Sequence, residues 1–108
     1  MAKPMSVDEQ GFETEVMQPA TSALVDFWSQ NCIHCRHFDP QFEQAAEAEA
    51  AVKFVKVSVQ DARPLFQRFG ITDTPTVVFF RDGVEVARQA GALSAEALVT
   101  WLRSNAGA

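Results

Sequence analysis

The chain has 108 residues, 47% of them hydrophobic and 21% charged, which is enough for one globular domain with its own core over 1–108 and argues against disorder. Nine phenylalanines and two tryptophans can fill that core, and two cysteines are too few for a disulfide scaffold. A net charge of −5 without any Lys/Arg cluster excludes the usual nucleic-acid and anionic-membrane binders.

The first residues, "MAKPMSVDEQGFETEV", lack the apolar stretch of a secretory signal, and no run elsewhere is long enough to span a bilayer. A cytoplasmic location is the resulting expectation. "SVDE" predicts a helix start, with Ser6 as cap and Glu9 three residues on, the spacing of a capping box. Val7, Phe12, Val16 and Met17 form its apolar face, and Pro19 lies just past its end. "ALVDFW", residues 23–28, reads as a strand that is apolar on both faces and so covered on both.

A long helix is predicted from about Ile33 to Ala50. Cys35, Phe38, Phe42, Ala45, Ala46 and Ala50 recur at steps of three and four along its inner face. Glu43, Glu47 and Glu49 fall outside that stripe, and Pro40 should kink the helix. "VKFVKVSV", 52–59, is a second strand. Asp61 is placed to cap a short helix through Phe69, which Gly70 stops. "TVVFF" and "VEVAR" are strands joined at Asp82-Gly83, a strong hairpin signal. Ser94 caps the last helix, with Ala97, Leu98, Trp101 and Leu102 on its inner face and Leu93 stapled onto Leu98. The element order predicts one α/β domain, a mixed sheet with helices on both faces.

The chemistry gathers in "NCIHCRHF", residues 31–38, which holds both cysteines. Cys32 falls at the cap of the long helix, where the free amides of Ile33, His34 and Cys35 and the helix dipole favour a thiolate over a thiol. His34, when protonated, pushes the same way. Cys35 heads the inward stripe. One activated, accessible thiol beside a buried one is what thiol–disulfide exchange requires, since one attacks and the other resolves the mixed disulfide. Haem attachment would need a histidine where Arg36 stands. A zinc site would need a second ligand pair, and His37 lies on another side of the helix from Cys32, so no metal ligand is assigned. A metal-holding or redox-idle binding module is the alternative from another class.

Asp26 sits inside the apolar run 23–28, where burial would raise its affinity for a proton and make it an acceptor poised near neutrality. Lys56, between Val55 and Val57 in the next strand, is its expected partner.

These residues resemble a known family. "VDFWSQNCIHC" is similar to the active-site segment of thioredoxins, and the likeness continues through Pro40, "FGITDTPT", "DGV" and "GALS" in the same order. The resemblance implies the thioredoxin fold, a central mixed β-sheet flanked by helices, and protein-disulfide reductase activity. It implies that Cys32 attacks, that Cys35 resolves, and that Asp26 with Lys56 handles the Cys35 proton. It also places Trp28 beside the disulfide, Pro75 as a cis-proline facing it, and Thr74, Gly91 and Ala92 on the surface that docks an extended substrate. The implied partners are protein disulfides and a thioredoxin-reductase-type electron donor. The protein is expected to be a monomer whose only redox group is its own Cys32–Cys35 disulfide, with no bound cofactor.

Three positions depart from the family pattern. Ile33-His34 replaces Gly-Pro, and Asn31 replaces the usual tryptophan. Histidine before the second cysteine is instead similar to disulfide isomerases and bacterial disulfide oxidants, so an oxidase- or isomerase-like protein is the nearer alternative. By favouring the Cys32 thiolate, His34 should make the protein less reducing than ordinary thioredoxins. Asn31 and Ile33 alter the rim on which a partner docks.

Overall fold

The computed structural model describes residues 3–106. The described residues form five strands and four helices. They are β1 (Met5–Ser6), α1 (Glu9–Glu15), β2 (Ser22–Trp28), α2 (Ile33–Ala48), β3 (Lys53–Ser58), α3 (Val59–Arg68), β4 (Thr76–Arg81), β5 (Val84–Ala90) and α4 (Ala95–Ala106). The strands form one mixed sheet in the order β1-β3-β2-β4-β5. β1 and β2 pair parallel with β3, β4 pairs antiparallel with β2, and β5 pairs antiparallel with β4. This is the α/β architecture expected from the sequence.

The central strands alternate between two cores. Val25, Phe27, Val55, Val57, Val78 and Phe80 face α1 and α3, where they pack with Phe12, Val16, Leu65 and Phe66. Leu24, Phe54, Val77 and Phe79 face α2 and α4, against Phe38, Phe42, Leu98 and Leu102. β2 is buried on both sides because each face is covered by a helical layer, and side chains alternate with a period of two. Asp26 has the same parity as Leu24 and therefore points towards α2.

Several local expectations need correction. Ser6 does not cap α1. Its backbone pairs with Lys56 in the short strand β1, and Asp8 is the cap, its Oδ1 accepting from the Gly11 amide at 2.8 Å. Nor does Asp61 cap α3. Ser58 Oγ accepts from the Asp61 amide at 3.2 Å, which places Asp61 in the first turn. α3 also breaks at Ala62, whose φ/ψ of −149°/50° is not helical, two residues before Pro64. α2 ends at Ala48, so Ala50 lies outside it and is exposed, and Ala97 is exposed rather than on the inner face of α4. Ser94 does cap α4, accepting from the Ala97 amide at 3.1 Å, and Leu93 packs in the cluster that holds Leu98. Asp82 and Gly83 turn the β4–β5 hairpin with φ of 54° and 76°.

Candidate active site

The site forms where the carboxyl end of β2 meets the start of α2, beside the loop leading into β4. Cys32 is the N-cap of α2 in extended conformation, and its sulfur accepts from the Cys35 amide at 3.1 Å. Of the three amides expected to face this sulfur, only that of Cys35 bonds to it. Cys32 and Cys35 are joined as a disulfide, with Cα atoms 5.2 Å apart. Cys32 is half-buried, whereas Cys35 is 4% exposed and heads the buried stripe of α2. The expected asymmetry between the two sulfurs is present.

A polar turn holds the approach to Cys32. The Gln60 amide group donates to Ser29 Oγ at 3.2 Å, and its Oε1 accepts from the Gln30 backbone at 3.2 Å. Gln60 has no part in the sequence reading, because its link to residues 29–30 exists only once α3 has docked. Asn31, Ile33 and His34 form an exposed rim, Ile33 at 56% exposure. Among the described residues the His34 side chain makes no hydrogen bond.

The opposite wall comes from the loop before β4. The Thr74–Pro75 peptide is cis, and the Thr74 carbonyl oxygen lies 3.4 Å from Cys32 Sγ. Gly91 donates its amide to the Pro75 carbonyl at 2.9 Å, which fixes exposed Gly91 and Ala92 beside this loop. A cavity of about 490 Å³ continues from Thr74 past Ser29, Arg63, Phe66 and Ile71. Thr74, Pro75, Gly91 and Ala92 thus stand together on the Cys32 side.

Behind Cys35 lies a cavity of about 220 Å³ lined by Asp26, Trp28, Cys35, Arg36, Asp39 and Lys56. Asp26 is 1% exposed, and its Oδ1 has no hydrogen-bond partner among the described residues. Burial pushes its carboxyl up to about 7; the Lys56 charge opposes this and the Asp39 charge adds to it. Lys56 is the Cα partner of Asp26 across β2 and β3, and its ammonium sits 5.1 Å from the centroid of the Trp28 ring. It does not bond to Asp26 as the sequence led one to expect. Its ion pair is with Asp39 of α2. Asp39 was not singled out from sequence, although it follows Cys35 by four residues and so shares its side of the helix. Among the described residues no three His, Cys, Asp or Glu side chains converge where they could hold a metal ion. No helix among them is long and apolar enough to cross a membrane.

Residues 3–104 match the sequence profile of the family described as Thioredoxin. The chain is 30% identical to a thioredoxin of Rickettsia bellii over 93% of its own length and 96% of that protein's. It is 43% identical to a putative thioredoxin 2 of Streptomyces coelicolor over 69% of this chain and 56% of that one. Its fold is similar to that of the Malassezia sympodialis thioredoxin Mala s 13, with a TM-score of 0.86 at 26% identity, covering 97% of this chain and 92% of that one.

Proposed function

The chain belongs to the thioredoxin family of thiol–disulfide oxidoreductases, and on that premise we propose that it is a protein-disulfide reductase less reducing than ordinary thioredoxins. The observation that carries the reading is the asymmetry of the pair. Cys32 sits at a helix cap within reach of the Thr74 backbone, and Cys35 backs onto the cavity of a carboxyl poised near 7.

In the dithiol form the Cys32 thiolate attacks one sulfur of a substrate disulfide. A mixed disulfide forms, and the first substrate thiolate leaves and takes up a proton. Asp26 then accepts the Cys35 proton. The Cys35 thiolate attacks Cys32 Sγ, the bond between Cys32 and the substrate sulfur breaks as the internal disulfide closes, and the second substrate thiolate leaves and takes up a proton. Two electrons pass to the substrate, and a thioredoxin-reductase-type donor must return two to the protein. An extended substrate segment lies against the Thr74–Pro75 backbone, with Gly91, Ala92, Trp28, Asn31 and Ile33 around it. The protein works as a monomer in the cytoplasm and needs no bound cofactor.

The less reducing character rests on His34, whose charge when protonated lies two residues from the Cys32 cap. Typical potentials are about −270 mV for thioredoxin and about −180 mV for disulfide isomerase, a gap of about 90 mV or about 4 kcal/mol, enough to reverse net electron flow with a given partner. The same histidine favours the oxidase- or isomerase-like alternative, and titration of the dithiol against glutathione separates the two. For the reductase, Cys32→Ser is expected to abolish insulin reduction, and Cys35→Ser to accumulate mixed disulfides. An active Cys32→Ser protein would overturn the reading.

A further inference from the structure

We propose that Asp39 is a positioning residue for proton transfer at Asp26: it holds Lys56 at the outer end of the cavity behind Cys35 and leaves the Asp26 carboxylate without a fixed cationic partner. This rests on the reading of Asp26 as the proton acceptor for Cys35.

The geometry begins with the sheet. Asp26 and Lys56 are neighbours in register on parallel strands, and both line the cavity, so the lysine belongs to the same face as the carboxyl. A direct ion pair between them would be the ordinary outcome for two such residues, and it would keep Asp26 ionised. Instead the Lys56 ammonium pairs with Asp39. The Asp39 side chain is 42% exposed and that of Lys56 18%, while Asp26 is 1% exposed. The pair therefore stands between the buried carboxyl and solvent. The cavity behind it has room for several waters, by which a proton taken from Cys35 can leave.

The charged groups facing Asp26 are Lys56 from β3 and, from α2, Asp39 and Arg36 at the cavity wall. On the other side β4 presents apolar Val77, the register partner of Asp26. Two effects of Asp39 act in one direction. Its own charge raises the Asp26 value, and its hold on Lys56 keeps the opposing cation from pairing directly with Asp26. Loss of the Asp39 charge removes the first effect and frees Lys56 to approach Asp26.

The test is a titration of the Asp26 carboxyl carbon by NMR in the full chain, for wild type, Asp39→Asn and Asp39→Ala. Both substitutions are expected to lower the midpoint from about 7. A fall of about one unit would raise the ionised fraction at pH 6 from about one-tenth to about one-half, about a fivefold gain. In a Lys56→Met background, Asp39→Asn is expected to shift the midpoint less, because no lysine remains to be released. An unmoved midpoint in the single variants overturns the proposal. An equal shift with and without Lys56 overturns it too, since Asp39 would then act by its charge alone. The titration reads Asp26 whether or not the protein turns over, so this failure is distinct from failure of the reductase reading, which the Cys32→Ser insulin assay reports.

Discussion

A carboxyl at 1% exposure with an unpartnered oxygen weakens the fold whenever it is ionised. Burial moves the Asp26 carboxyl from its ordinary value of 3.8 up to about 7 in the folded protein. Its neutral form is therefore fully compatible with the fold below about 4. Stability falls as pH rises from there and reaches its floor above about 7, where folded and unfolded chains both carry the charge. Asp26→Asn removes this dependence. It is expected to raise unfolding free energy at pH 8 by about 4 kcal/mol, and to change it little at pH 4, for a carboxyl moved from 3.8 to about 7. Urea unfolding at the two pH values measures both, and an equal effect at each would show that Asp26 is not buried as a charge. The burial of Asp26 was legible because apolar residues flank it on both sides in sequence, and the two cysteines were legible from their place at a strand–helix junction. Asp39 was not, because its pairing with Lys56 spans α2 and β3 and depends on how the helix docks on the sheet. Only its four-residue offset from Cys35 hinted at a shared face.

At the scale of elements, patterns of apolar residues held better than assignments of caps. The stripe Cys35, Phe38, Phe42, Ala45 and Ala46 is buried as read, because helical spacing alone decides which side chains share a face. The caps shifted because several oxygens compete for the same free amides. Ser6 lost its place when its backbone joined β3, and Ser58 at the end of β3 reached the amides of α3. The β4–β5 hairpin was read correctly because Asp-Gly answers a backbone requirement rather than a packing choice. At Gly83, φ is +76°, and an added Cβ would stand 3.4 Å from the Met17 carbonyl oxygen. Gly83→Ala is expected to lose about 1 kcal/mol, since alanine resists positive φ. The loss should appear as a lower urea midpoint at unchanged slope. An unchanged midpoint would mean that the turn accepts a side chain without strain.

For the whole molecule, redox state and stability are linked by one thermodynamic cycle. The native fold sets the potential of the Cys32–Cys35 pair, and the difference between native and unfolded potentials equals the stability difference between dithiol and disulfide forms. Each 30 mV corresponds to about 1.4 kcal/mol. If His34 favours the Cys32 thiolate, it stabilises the folded dithiol protein relative to the folded disulfide protein. His34→Pro should then make the potential more negative and reduce the stability of the dithiol form relative to the disulfide form by the corresponding amount. Because the His34 side chain is exposed and makes no hydrogen bond among the described residues, its loss should disturb little packing, which leaves charge as the main effect. Proline is compatible with the first turn of a helix, where the amide it removes has no partner within the helix. The check combines a glutathione titration with urea unfolding of both redox forms. A His34→Pro potential that stays constant would show that Cys32 does not sense the histidine, and one that becomes less negative would show that the histidine favours the disulfide form instead of the dithiol.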